Sequence, residues 1–384
     1  MNGFSFETAP RTICEDGAAA RLGPLVAGLG LARVMVVTDP GLKGAGLLDA
    51  PLESLREAGV EAVLFSEVEA DPPQACVERA VALALSEGVD GVIGLGGGSS
   101  MDTAKLVALL AGSGAALDAV WGVDVAKGPR LPLIQVPTTA GTGSEVTPIA
   151  IVTNPTDEKR GVVSRWLLPD LALLDPELTT GLPPAVTAAT GVDAMVHAIE
   201  AYTSRIKKNP VSDALALRAL TLLSGAIRMA VKDGNDLEAR RAMLQGAWLA
   251  GMAFANAPVG AVHALAYPLG GRFHVPHGLS NALVLLPVLE YNLPAAEQHY
   301  AELAEAVAPA GVPPGANAAA RMFFETMDGL VRDMPMAQRL SQVGVAEGDI
   351  EQLATDAMQI ERLLVNNPRP MTHDAAVAIY RSVL

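Results

Sequence analysis

Asp193 and His197 lie four residues apart in the segment 191–200, which reads as helical. A carboxylate and an imidazole at i and i+4 share one helix face, so a single turn can offer two ligands to a cation. Two further imidazoles, His263 and His277, follow among apolar and small neighbours in the segments 260–267 and 275–278. One Asp and three His without a thiolate suit a divalent first-row ion such as Fe2+ or Zn2+, with a coordination position left open. Each residue also has a plainer reading: a lone histidine on an apolar face is more often a satisfied core residue, and an Asp/His pair at this spacing is often a solvated hydrogen bond. Four of the six histidines fall between residues 197 and 277, and the plainer readings account less well for that clustering. His274, His299 and His373 are read as surface or outlying positions. His274, three residues before His277, is the candidate among them for proton transfer.

A different chemistry is written earlier in the chain. The apolar run 91–95 passes through Gly96, Gly97, Gly98 and Ser99 into a helical pattern that carries Asp102 and Lys105. Glycines let the backbone approach closely, and the amides at a helix start present N–H groups to an anion with the helix dipole behind them, which suits a phosphate. The turn is not a Walker A loop, because Leu106 follows Lys105, and it is not GxGxxG, because Ser99 takes the third glycine position. Alone, such a turn is about as often a ligand-free strand-to-helix junction. A second hydroxyl-rich loop, 137–145, follows the apolar run 133–136, and in an open α/β sheet both loops would face the crevice at the strands' carboxyl ends. Asp39, closing the run 33–38, could bond ribose hydroxyls and repel a 2′-phosphate, favouring NAD over NADP. Asp39-Pro40-Gly41 is also ordinary turn chemistry.

The elements that must hold these residues follow from periodicity. Short apolar runs at 33–38, 62–65, 91–95, 133–136, 149–152 and 171–174 alternate with helical patterns at 72–86 and 103–111, the form of a parallel sheet with crossover helices. After Leu182-Pro183-Pro184 the spacing turns helical throughout: 184–204, 212–231, 236–255, 295–308, 317–331, 347–364 and 373–383. The expected organisation is an α/β dinucleotide-binding domain with a parallel sheet over 1–181 and an all-helical, metal-binding and catalytic domain over 182–384.

Composition bounds the partners. The 384 residues exceed a single core, and 50% hydrophobic with 18% charged residues excludes a disordered chain. With 27 Lys plus Arg against 42 Asp plus Glu, the net charge of −15 repels phosphate backbones and anionic lipid, so neither nucleic acid nor a membrane is an expected partner. The most apolar stretches are short and punctuated, and none is expected to span a bilayer. Two cysteines, Cys14 and Cys76, and an N-terminus without a basic region and apolar run lead to an expected cytoplasmic location.

Taken together, the loops 96–105 and 137–145 and the segments 191–200, 260–267 and 275–278, in this order and spacing, resemble the iron-containing (group III) alcohol dehydrogenase family over nearly the whole chain. The resemblance implies the dehydroquinate synthase-like architecture and NAD(P)-linked interconversion of alcohols and aldehydes or ketones in the cleft between the two domains. It also implies a homodimer. By that similarity Asp193, His197, His263 and His277 are the ligands of Fe2+, or of Zn2+ depending on supply. Asp39, Gly97, Gly98, Ser99, Asp102, Thr138, Thr139, Thr142, Lys159 and Leu178 line the cofactor. One departure stands out: where many members carry a histidine four residues after the third ligand, this chain has Tyr267. A phenol is a poor base at neutral pH, so bound water, a ribose hydroxyl or His274 is expected to carry the proton.

Three other readings compete. A metal- and NAD-dependent lyase resembling dehydroquinate synthase would need a basic pocket for phosphate and carboxylate, and no strong basic cluster lies near the ligands. A non-enzymatic nucleotide sensor would leave the ligand cluster without a purpose. A metal-free maleylacetate reductase would not need the four ligands. Phe254, Val259 and Tyr267 are candidate pocket residues for a small alcohol or aldehyde, and with aromatics at only 4% an aliphatic lining is expected.

Overall fold

The computed structural model describes residues 3–155, 158–308 and 310–384. Residues Glu7–Gly181 form one compact unit, and Leu182–Leu384, with residues 3–6, form another. Among the described residues the first contains nine strands: β1 Thr12–Cys14, β2 Arg33–Val37, β3 Glu61–Phe65, β4 Gly91–Gly96, β5 Gly122–Val123, β6 Leu133–Pro137, β7 Ile149–Thr153, β8 Lys159–Val163 and β9 Leu171–Leu174. Its helices are α1 Leu22–Gly28, α2 Pro40–Gly44, α3 Asp49–Glu57, α4 Gln74–Glu87 and α5 Gly98–Ser113.

Six strands form one all-parallel sheet in the order β1-β9-β6-β4-β2-β3. Alternation along β2 shows why it must be covered on both faces. Val34 and Val36 pack with Leu22, Val26 and Leu55 of α1 and α3, while Met35 and Val37 pack with Cys76 and Ala80 of α4 and Val107 of α5. The chain leaves β2 for β3 on one side and returns to β4 on the other, so the strand order reverses between β2 and β4. Ligands of open α/β sheets bind at such a switch point. The register sets Val37 against Gly94 and Gly96 against Pro137, which brings the carboxyl ends of β2, β4 and β6 together.

The run 149–152, expected in the parallel sheet, belongs instead to a second sheet of order β5-β8-β7, in which β7 runs antiparallel to β8. Its buried Ala150, Val152 and Val162 cover Leu106, Leu109 and Leu110 of α5. β8 was not foreseen: Lys159-Arg160-Gly161 masks its two-residue period.

The second unit is helical: α6 Pro184–Thr203, α7 Pro210–Lys232, α8 Leu237–Asn256, α9 Ala261–Phe273, α10 His277–Val307, α11 Ala316–Arg332, α12 Ile350–Met358, α13 Glu361–Leu364 and α14 His373–Ser382. Three expectations are corrected. Helix α9 was not anticipated, because Pro268 and the pair Gly270-Gly271 read as breakers. Helix α10 starts at His277, not near 295, and absorbs Pro287 and Pro294. Each proline removes one backbone bond, and the buried face Leu283, Leu285, Val288, Leu289 and Leu303 keeps the helix together. The single helix expected over 347–364 is a 3-10 turn, Glu347–Asp349, followed by α12 and α13.

Helix α7, contrary to the reading of the apolar stretches, is long and apolar enough by composition to cross a bilayer. Its buried residues Ala216, Ala219, Leu220, Leu223, Ala226, Ile227 and Ala230 recur at helical spacing along one stripe, which marks a bundle helix, and α6 and α8 pack against it. A reciprocal capping box between Asn209 and Ser212 fixes its start, a feature worth about 1 kcal/mol.

Candidate metal centre and nucleotide turn

Three helices deliver the four ligand candidates: α6 carries Asp193 and His197, α9 carries His263 in its first turn, and His277 is the first residue of α10. One ligand atom from each residue falls within 4.8 Å of all the others. Asp193 Oδ1 lies 3.9 Å from His197 Nε2, 3.9 Å from His263 Nε2 and 3.7 Å from His277 Nε2, so all three rings turn the same nitrogen to one carboxylate oxygen. Metal–ligand bonds of about 2.0–2.2 Å in a tetrahedron separate neighbouring ligand atoms by roughly 3.4 Å, so the observed spacing fits one cation with little adjustment. Asp193, His197 and His263 are buried, whereas the His277 side chain is 32% exposed and marks the side on which the cluster opens.

Burial alone would push the Asp193 carboxyl up. His197, His277 and His263, together with a hydrogen bond from Asn281, outweigh it and hold the group below its ordinary value. A buried carboxylate facing three imidazoles has the electrostatics of a cation site. Packing fixes the rings: Phe254 stacks on His197 at 4.3 Å between centroids, and His197 stacks on His263 at 4.8 Å. Tyr267 stands 6.1 Å from the His277 ring. Of the candidate pocket residues, Phe254 and Tyr267 thus flank ligand rings, and Val259 is buried.

Two residues close to the cluster were not singled out in the sequence. The Asn281 amide donates to Asp193 Oδ1 at 2.6 Å and lies 3.2 Å from His263 Nε2 and 3.3 Å from His277 Nε2. Glu200 lies 2.6 Å from His263 Nδ1. Helical spacing was the available signal: Asn281 is i+4 from His277, and Glu200 is i+3 from His197 and i+7 from Asp193. His274 is exposed, in a left-handed conformation that caps the C-terminus of α9, and is not among the four clustered residues.

In the α/β unit, close packing of two loops requires glycine. A Cβ on Gly96 would sit 2.6 Å from Ser100 Cβ, and one on Gly98 would sit 2.8 Å from Thr142 Cγ2. The Thr138 N–H donates to the Gly96 carbonyl at 3.0 Å, and Thr139 flanks Gly97 at 3.7 Å from where a Cβ would stand. Asp39 caps α2 through Leu42 N–H at 3.1 Å, and the Ser100 hydroxyl donates to its other oxygen at 3.4 Å. Asp39, Gly97, Gly98, Thr138, Thr139 and Thr142 thus converge at the switch point, with Ser99 in the first turn of α5 beside them. The Thr138 hydroxyl is buried there with no partner among the described residues.

The remaining cofactor candidates are placed differently. Both Asp102 oxygens are taken within the protein, by the Ser144 hydroxyl at 2.6 Å and Ile151 N–H at 2.9 Å. Lys159 pairs with Asp71 at 2.7 Å, and Leu178 packs in the apolar cluster under α1. Beneath the second loop the Lys105 ammonium, fully buried, donates to Ser144 Oγ at 2.7 Å, Thr147 Oγ1 at 3.1 Å and the Ile149 carbonyl at 2.7 Å. Burial pushes its pKa down, against the pull of Asp102 and Glu145.

Both halves of the chain match one family. Residues 9–176 match its sequence model for iron-containing alcohol dehydrogenase, and residues 187–384 match that for the C-terminal part of the Fe-containing alcohol dehydrogenase family. Long-chain-alcohol dehydrogenase 1 of Geobacillus thermodenitrificans (strain NG80-2) is 42% identical over 376 residues, covering 95% of this chain and 93% of that protein. The crystal structure of a 1,3-propanediol oxidoreductase superposes with a TM-score of 0.96 at 36% identity over 100% of both chains. Sulfoacetaldehyde reductase from Bifidobacterium kashiwanohense, solved in complex with NAD+, superposes with a TM-score of 0.90 at 27% identity, covering 100% of this chain and 99% of that one. The chain belongs to the iron-containing alcohol dehydrogenase family, and with it to the oxidoreductases of alcohols and aldehydes.

Proposed function

We propose that the protein transfers hydride between a small alcohol or aldehyde and NAD, with divalent iron held by Asp193, His197, His263 and His277, zinc being the substitute. The convergence of these four donors within 4.8 Å carries the reading. A divalent cation there supplies Lewis acidity towards the substrate oxygen. The chain's own residues do the rest: the stacked rings of Phe254, His197 and His263 hold the donors still, and the partly exposed His277 leaves one side for substrate. Phe254 and Tyr267 give that side an apolar wall. Tyr267 serves as packing and His274 passes the proton to solvent. Asp39 takes the adenosine ribose, which sets NAD above NADP, and the amides at the start of α5, with Gly97, Gly98, Ser99, Thr138, Thr139 and Thr142, take the pyrophosphate.

The relatives named above act on alcohols and aldehydes, which favours this reading over the lyase and the sensor. Their named substrates differ, and the choice of alcohol rests on the wall residues. A cytoplasmic homodimer completes the proposal, supported by the two-cysteine composition and the family, and size-exclusion chromatography with light scattering tests the dimer. The deciding experiment is an anaerobic screen of short alcohols and aldehydes with NADH and NADPH, in iron-loaded and chelated enzyme. Turnover is expected with NADH in the loaded sample only. Full activity after complete metal removal would overturn the metal reading.

A further inference from the structure

We propose that Glu200 is a positioning residue for the metal, fixing the tautomer of His263 so that its Nε2 lone pair faces the cation and anchoring the helix start that carries it. The inference rests on the metal reading above. Glu200 is buried on α6, on the stripe that carries Asp193 and His197, and both of its oxygens are engaged by α9. Oε2 lies 2.6 Å from His263 Nδ1, and Oε1 accepts the Val262 N–H at 2.7 Å. Val262 is the second residue of α9, and its amide is one of the four at a helix start that have no partner within the helix. A carboxylate there also meets the positive end of the helix dipole.

Oε1 already accepts the Val262 N–H, and a carboxylate that also accepts at Oε2 takes its hydrogen bond from a proton on His263 Nδ1 across the 2.6 Å contact. The opposite nitrogen is then unprotonated, and it is the one turned to Asp193 Oδ1. Without that acceptor the ring is free to carry its proton on Nε2, where it would oppose a cation. Metal-ligating histidines are commonly oriented by a carboxylate in this manner. Here the carboxylate comes from the helix that already supplies two ligands, so α6 sets the third ligand as well as its own two.

The test uses ring-15N-histidine-labelled full-length enzyme, with the His263 resonances assigned by their loss in His263→Gln. In metal-free wild type, His263 is expected as the Nδ1–H tautomer, and an Nε2–H tautomer would overturn the proposal without any variant. Glu200→Gln keeps shape but not charge. With its carbonyl on Val262 N–H, its NH2 faces Nδ1 and drives the proton to Nε2. Competition with a chromophoric chelator should show Zn2+ and Fe2+ affinity about 10- to 100-fold weaker than wild type, with Glu200→Asp recovering part of the loss. Equal affinity in Glu200→Gln and wild type, with an unchanged tautomer, would overturn the inference while leaving the metal site intact. A wild type that binds neither ion would overturn the metal site itself.

Discussion

Tyr267 shows how one residue divides packing from chemistry. Its ring centroid stands 6.1 Å from that of His277, and the Arg362 guanidinium carbon lies 5.9 Å from the same centroid, so both contacts are to the ring and not to the hydroxyl. Tyr267→Phe keeps those contacts, so most of kcat should remain and the pH–rate profile should hold its shape. A loss of roughly several hundredfold, the size of a general-acid or general-base contribution, would instead make its hydroxyl the essential proton carrier. His274→Ala should lower turnover and alter the pH–rate profile, and an unchanged rate and profile would mean that the proton reaches solvent without it. Glu145 makes a sharper pH argument. Burial pushes its carboxyl from 4.5 up to about 7, only partly offset by its own backbone N–H and the Lys105 ammonium. Between those two values the group is neutral in the fold and ionised in the unfolded chain, so the folded state holds the extra proton and stability falls as pH rises through the window. Above about 7 the loss is complete. At 1.36 kcal/mol per pKa unit this amounts to about 3 kcal/mol. Glu145→Gln should remove that dependence, and denaturation at pH 5 and pH 8 checks it: parallel losses in wild type and variant would show that Glu145 is not the group responsible.

At the scale of elements, the nucleotide turn depends on what lies under it. Helix α5 supplies Asp102 and Lys105, one turn apart, and between them they take Ser144, Thr147, Ile149 and Ile151. The loop 137–145 is thereby tied to the helix whose N-terminus faces the switch point. Lys105→Met would leave Ser144 and Thr147 without their cation in a buried setting, a disruption costing on the order of 3 kcal/mol. The expected result is a rise of about tenfold or more in the KM for NADH with metal affinity unchanged. An unaltered KM in folded protein would mean that the loop holds its shape without the ammonium. The sequence made the surface of this turn readable, since glycines and hydroxyls at strand ends have local signatures, but not its support. A lysine on an apolar stripe carries no sign of which hydroxyls it meets, and Lys105 stood for a failed Walker motif. The metal end divides likewise. Asp193 and His197 were legible from their spacing, and His263 and His277 from clustering, whereas Glu200 and Asn281 look like common polar helix residues until α9 and α10 are brought against α6. Those two helices were the poorly read ones, because Pro268, Pro287 and Pro294 are local stop signals that only tertiary packing overrides.

Across the molecule, the proposed metal and nucleotide sites fall in different compact units, and this separation has a thermodynamic consequence. All four metal donors come from Leu182–Leu384, on three helices that are distant in sequence, whereas the nucleotide turn lies wholly within Glu7–Gly181. A cation that binds the folded donors but not the unfolded chain stabilises the unit that contains them by RT ln(1 + [L]/Kd), about 2.7 kcal/mol at a hundredfold excess over Kd. It also joins α6, α9 and α10 at one point, so the gain falls on the helical unit as a whole. NAD obeys the same relation in the α/β unit. Scanning calorimetry of metal-free enzyme titrated with Zn2+ should therefore raise one unfolding transition and leave the other in place, while NADH should move the opposite one. Asp193→Asn removes the only carboxylate among the four donors, so it should abolish the response to Zn2+ and preserve the response to NADH. A metal that raised the nucleotide-responsive transition alone would place the cation outside the Asp193 cluster. If Asp193→Asn still responded in full to Zn2+, the stabilising ion would be bound by other residues, and the convergence of donors on α6, α9 and α10 would have to be explained as packing.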